Sequence, residues 1–165
     1  EYIMDKEQTT IKASVRYTVL GVYTAQFLDY ESTFHFDQED ISNSSVQMIF
    51  KTNTIDSGMP RFDRIVRSSR LLDAAKYPNI TFKSTRIYER ENDYWVEGNL
   101  DLHGVQRNLG FPFELEVMDE ETIRAKGSWK INRKSFNIIW HPVLDVGGIL
   151  VGNKITINWE ILAEK

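Results

Sequence analysis

Apolar and polar residues alternate along most of this chain. Ile11, Ala13, Val15, Tyr17 and Val19 hold odd positions against Thr10, Lys12, Ser14, Arg16 and Thr18, the period of a strand with one buried and one wet face. Tyr23, Ala25 and Phe27 carry the pattern past Gly21, and Phe34 and Phe36 resume it before the acidic turn Asp37–Asp40. Val46, Met48 and Phe50 follow, then Ile80 and Phe82 after Pro78. The clearest hairpin comes next: Tyr94, Val96, Leu100 and Leu102 alternate up to His103-Gly104, and Val105, Leu109, Phe111, Phe113, Leu115 and Val117 alternate away from it. Pro112 sits at an outward position and has no N–H, which predicts an edge or a bulge there. Ile123, Ala125, Gly127, Trp129 and Ile131, then Ile155, Ile157, Trp159 and Ile161, complete the series. About eight strands joined mainly by tight turns predict an all-β protein, an antiparallel barrel or sandwich.

One stretch has a different period. From Pro60 to Lys76 the residues Phe62, Ile65, Val66, Leu72 and Ala75 recur at helical spacing, with Leu71 widening the face. Pro60 suits a first helical turn and Pro78 a stop. The spacing predicts one helix over about 60–76, inserted between strands as a cover. No linker, internal repeat or low-complexity tract divides the 165 residues, and the length predicts a single domain over 1–165.

Composition narrows the function classes. Twenty basic against 24 acidic residues give a net charge of −4, the wrong sign for a surface that displaces counterions from nucleic acid. No apolar run approaches the roughly 18 residues of a membrane-spanning helix; Gly147–Gly152 and Val19–Tyr23 are short, so no stable membrane insertion is expected. Cysteine is absent, which removes disulfides, thiolate metal sites and cysteine nucleophiles together. The chain opens at Glu1 without a charged-then-apolar leader, read here as a signal peptide already removed or a trimmed start.

Catalytic and metal signatures are missing. His35 has the parity opposite to Phe34 and Phe36 and is expected to face solvent; His103 lies in a turn; His141 precedes Pro142. No pair has metal-ligand spacing, and no Gly-x-Ser-x-Gly elbow occurs. Gly147 and Gly152 are spaced like a phosphate loop, but Asn153 replaces the lysine and a strand follows. Asp63 and Asp73 read as a solvated helix face or caps. Arg133 ends the inward run Trp129–Ile131 at the same parity; an arginine there pairs with a carboxylate or holds a polar head group, the first being favoured. No metal and no cofactor are expected.

The inward set is rich in aromatics, which is compatible with a packed sandwich core or with a barrel of about eight strands holding one ligand. Alternation alone does not separate the two. A resemblance does. Thr54-Ile55-Asp56-Ser57-Gly58, Asp63, Asp73-Ala74-Ala75-Lys76-Tyr77-Pro78-Asn79-Ile80-Thr81-Phe82-Lys83-Ser84-Thr85, Tyr94-Trp95-Val96-Glu97-Gly98-Asn99-Leu100-Asp101-Leu102-His103-Gly104-Val105-Gln106-Arg107 and Ile131-Asn132-Arg133-Lys134-Ser135-Phe136 resemble, in order and spacing, the blocks of the YceI-like family. Gln8-Thr9, Ala25, Ile65 and Leu71-Leu72 depart from its pattern.

The resemblance implies an extended, lipocalin-like antiparallel β-barrel that binds a polyisoprenoid, an isoprenoid quinone or a similar amphiphile. It also implies a periplasmic or secreted location, with a cytoplasmic one as the alternative. No enzymatic activity is implied, and a homodimer is allowed. On that basis the inward side chains Tyr17, Phe27, Phe36, Phe50, Phe82, Tyr94, Phe111, Phe113, Trp129 and Trp159 are expected to contact the ligand. Phe62, Ile65 and Leu72 of the helix are expected to border its path, and His103 and Arg133 are the candidates for head-group contacts. Two other readings stay open: a barrel filled by its own side chains that works through partners or in stress, and an enzyme acting on a bound lipid.

Overall fold

The computed structural model describes residues 2–18, 21–140 and 150–165. In chain order these form β1 (Ile3–Met4), β2 (Thr10–Tyr17), β3 (Gly21–Phe27), β4 (Tyr30–His35), β5 (Ser45–Lys51), β6 (Ile55–Asp56), helix α1 (Pro60–Arg67), β7 (Asn79–Arg90), β8 (Asp93–Leu102), β9 (Val105–Val117), β10 (Thr122–Asn132) and β11 (Val151–Glu164). Every pairing is antiparallel, in the order β4-β5-β7-β8-β9-β10-β11-β2-β3-β6. The sheet curls into a half-barrel. At one end β1 pairs with β11 while the Tyr2 amide donates to the Phe34 carbonyl at 3.1 Å, tying β11 toward the edge strand β4.

Two turns set the inward parity of the central strands. Glu91-Asn92 (φ 52° and 69°) and His103-Gly104 (φ 57° and 74°) are two-residue loops with both residues left-handed, the geometry whose twist matches the flanking strands. The resulting registers place Phe82 opposite Leu100, Val96 opposite Phe111 and Tyr94 opposite Phe113. Val19 of the first predicted strand lies outside the described residues, as do His141 and Gly147.

The edge predicted at Pro112 is a parting within the sheet. Strand β9 pairs with β8 over Val105–Phe113 and with β10 only over Glu114–Val117. Where β9 and β10 separate, Pro112 has no N–H to leave unpaired, and its carbonyl accepts from the Trp129 indole Nε1 at 3.1 Å.

The helix is shorter than its hydrophobic spacing predicts. It ends at Arg67, not near Lys76. Ser68 caps it, its amide and hydroxyl both donating to the Ile65 carbonyl at 3.1 and 2.6 Å. Residues 68–77 then form turns around a left-handed Asp73 (φ 51°). Serine competes for backbone hydrogen bonds and so favours caps over helix interiors. Leu72 nevertheless comes back beneath the helix, because its amide donates to the Val66 carbonyl at 2.9 Å.

Candidate functional site: two apolar chambers in the half-barrel

The inward faces enclose two chambers. The first, about 160 Å³, lies among β4, β5, β7, β8, β9, β10 and β11. The second, about 170 Å³, lies beneath α1 and the turns that follow it. Ile11, Phe50, Leu100, Ile131 and Ile157 border both, so the chambers adjoin at a waist of five apolar side chains. Each has room for several waters, well beyond the small voids of an ordinary core.

Aromatic rings wall the first chamber. Phe111 stacks on Trp129 (4.4 Å between centroids, 8° between planes), and Trp129 meets Trp159 edge-on at 5.2 Å. Phe82 lies 5.6 Å from Trp129, and Phe113 lies 6.4 Å from Trp159. Glycines let these rings lie flat on the sheet. A Cβ on Gly98 would stand 2.5 Å from the Phe82 ring and 2.7 Å from the Lys83 carbonyl, and one on Gly127 would stand 2.8 Å from the Trp159 indole nitrogen. Phe111, Phe113, Trp129 and Trp159 remain only half-buried although they face inward, because the space beside them is open. The polar side chains along this chamber are His35, Ser44 and Ser45; His35 is exposed, as its parity predicts.

Aliphatic residues wall the second chamber, with Phe27, Tyr23 and Arg133 among them. Its cover is held by a buried carboxylate. Asp63 of α1, 3% exposed, accepts from the Tyr23 hydroxyl at 2.6 Å, the Ser57 hydroxyl at 2.6 Å and the Ser57 amide at 3.1 Å. Burial pushes its pKa up, but these bonds and the positive charge of Arg67 more than offset that, so its carboxyl sits below the ordinary aspartate range. Burial, together with the hydrogen bond to the Asp63 carboxylate, raises the Tyr23 phenol far above its usual value. A solvated face or a cap was the expectation for Asp63. It is instead the pin between α1 and β3, and its burial follows from the register that puts Tyr23 beneath the helix.

Arg133 closes the far side of the second chamber and is 5% exposed. Among the described residues no carboxylate meets it, where the sequence favoured one. Its Nε donates to the Gly152 carbonyl at 2.8 Å, Nη1 to Ile138 at 2.8 Å and Nη2 to Val151 at 2.9 Å. The local sequence makes this possible. Asn132 caps a short 3-10 turn over Arg133–Phe136, and left-handed Asn137 (φ 56°) returns the chain so that Ile138 faces the guanidinium. Burial lowers its pKa.

The predicted contact residues therefore divide. Phe36, Phe50, Phe82, Phe111, Phe113, Trp129 and Trp159 line the first chamber, and Phe27, Phe50, Leu72 and Arg133 the second. Tyr17, Phe62, Ile65, Tyr94 and His103 line neither. Tyr17 packs against Phe62 at 5.1 Å in the helix-sheet contact, and Tyr94 flanks Phe113 at 5.7 Å. His103 packs on Tyr77 at 4.7 Å with its Nδ1 3.1 Å from the Phe136 carbonyl, contacts that brace the turn. The waist aliphatics Ile11, Leu100, Ile131 and Ile157 alternate inward in the sequence like the aromatics, and that parity is the signal that marks them. Among the described residues no three His, Asp or Glu side chains converge as metal ligands would.

A curled antiparallel sheet around an apolar lumen defines a lipocalin-like class. Within it, a model of the YceI-like domain matches residues 2–163, and the chain belongs to that family. It is 30% identical over 145 residues to Protein YceI of Salmonella arizonae, covering 84% of this chain and 76% of the relative. The crystal structure of Burkholderia cenocepacia BcnA superposes with a TM-score of 0.86 at 22% identity, covering 97% of this chain and 99% of BcnA. A polyisoprenoid-binding domain from Saccharophagus degradans, implicated in plant cell wall breakdown, matches with a TM-score of 0.74 at 14% identity over 99% and 97% of the two chains.

Proposed function

We propose that this protein binds a long apolar amphiphile non-enzymatically and carries or sequesters it. The observation that carries this reading is the pair of adjoining chambers walled almost entirely by carbon. Each methylene moved from water into such a space is worth roughly 0.8 kcal/mol, so a long tail binds tightly with no specific polar contact. A barrel packed solid with its own side chains would lack this space. The polyisoprenoid-binding domain of S. degradans shares the fold, which favours an isoprenoid tail. Among the described residues the one buried carboxylate, Asp63, already accepts three donor groups, which leaves it poorly suited to acid–base work on a lipid.

Calorimetry with isoprenols of increasing length tests the proposal. Affinity rises with each isoprene unit and then levels off, with a negative heat-capacity change and little dependence on pH between about 5 and 8, where a histidine would titrate. Binding independent of tail length would overturn the reading. Mass spectrometry of organic extracts of the purified protein would identify the natural ligand.

A further inference from the structure

The two chambers differ in one charged group. The first has no charged side chain; its polar groups are His35, Ser44, Ser45 and the indole N–H groups of Trp129 and Trp159, that of Trp159 buried and unpaired. The second holds the Arg133 guanidinium, 95% withdrawn from solvent and faced, among the described residues, by no carboxylate. A guanidinium carries five N–H donors, and three hydrogen bonds to backbone carbonyls are made here. Those carbonyls are dipoles; they orient the cation without neutralising it. The other polar side chains of this chamber are committed: the Tyr23 hydroxyl donates to Asp63 at 2.6 Å, and Ser14 pairs with Thr24 at 2.9 Å. Among the described residues no opposite charge offsets this buried cation, and burial without one is costly; an oxygen acceptor arriving with the ligand recovers part of that cost. A ligand made only of hydrocarbon recovers none.

From this we infer that the ligand enters head-inward: a head group bearing a carbonyl or carboxylate oxygen lies in the second chamber against Arg133, and the tail passes the waist into the aromatic chamber. This rests on the carrier reading above and adds orientation and head-group class to it. Head groups of both kinds share an oxygen acceptor and differ in charge, and a buried cation favours the charged one.

The test uses the intact wild-type protein and a geranylgeranyl chain ending in a carboxylate, in a methyl ketone, or in hydrogen. Carboxylate is expected to bind at least tenfold more tightly than the plain hydrocarbon, with the ketone between them. The same carboxylate bearing a diazirine beside the head should crosslink to peptides containing Arg133 or Ile138. With the diazirine at the tail end it should crosslink to peptides containing Phe111 or Trp129. Equal affinities with the reverse crosslinking pattern overturn the head-inward arrangement and leave the carrier reading standing. If none of the three chains binds, the carrier reading itself fails. Arg133→Lys keeps the charge and Arg133→Met removes it, so a folded Met variant that binds carboxylate and hydrocarbon alike confirms the guanidinium as the discriminating group. A folded Met variant that still prefers the carboxylate overturns that role.

Discussion

The two chambers are built by different physics. The aromatic chamber stands on long antiparallel strands, and its shape comes from rings held flat over glycine or stacked on one another. The aliphatic chamber is roofed by an eight-residue helix and a run of turns, and one buried aspartate connects that roof to the sheet. A wall made of long paired strands resists change because most of its residues are tied to at least one neighbouring strand, even where β9 parts from β10. A roof made of one short helix depends on whatever pins it. The comparison teaches that one lumen combines a preformed receptacle with a cover held by a few hydrogen bonds.

The largest expected effect breaks the cover. Asp63→Ala leaves the Tyr23 and Ser57 hydroxyls without their acceptor, and hydrogen bonds to a charged group are each worth about 1.5–3 kcal/mol. A loss of about 3 kcal/mol in urea denaturation is expected, with hydrogen exchange rising first across α1 and residues 68–77. The folded pKa of Asp63 is depressed. Its contribution is therefore fully present above the unfolded value near 3.9 and is lost as pH falls through the folded value. Wild type should lose this increment below about pH 4, and Asp63→Asn should show a shallower acid limb. Equal acid limbs would remove Asp63 as the pin.

Gly127→Val attacks the receptacle instead. Its Cβ would stand 2.8 Å from the Trp159 indole, driving that ring into the lumen. Overpacking of this kind costs about 1–3 kcal/mol. Ligand uptake should fall further than stability does, because the displaced ring occupies the chamber. A variant that binds normally would show that the aromatic chamber is not part of the path.

Leu100→Trp at the waist sharpens the comparison by separating the chambers. Long isoprenoids should lose about tenfold in affinity by calorimetry, roughly 1.4 kcal/mol, while ligands short enough for one chamber should be unaffected. An equal loss for short and long ligands would mean that the chambers do not act as one site. The smallest effect is expected at Ile65, which lies on the helix but borders neither chamber. Ile65→Asp should leave uptake unchanged and shift stability by less than about 1 kcal/mol, within the range of ordinary partly exposed substitutions. Weakened uptake in the folded variant would extend the ligand path beneath the helix.

Much of this was legible in the residue pattern. Alternation alone identified the longer strands, most of their inward faces and the His103-Gly104 hairpin, because side-chain direction in a strand repeats every two residues. It did not identify the two-residue β1 and β6, since a pair of residues is too short to show that period. The period is why most of the expected inward aromatics, Phe27, Phe50, Phe82, Phe111, Phe113, Trp129 and Trp159 among them, border a chamber, whereas Tyr17 and Tyr94 do not. The spacing at Pro60–Lys76 was misleading in length, since Leu72 and Ala75 meet helical spacing by coincidence while Ser68 and left-handed Asp73 interrupt the backbone. What tertiary structure decided was everything that depends on distance across the sheet. Parity cannot say whether inward side chains meet or leave a gap; curvature and the parting of β9 from β10 determine that. Nor can it say that Tyr23 and Ser57, forty and six residues from Asp63, converge on one carboxylate, or that Arg133 finds carbonyls where a carboxylate was expected. Period is a local property of a chain and is written in it; partnership across a lumen is a property of the curled sheet, and only the fold supplies it.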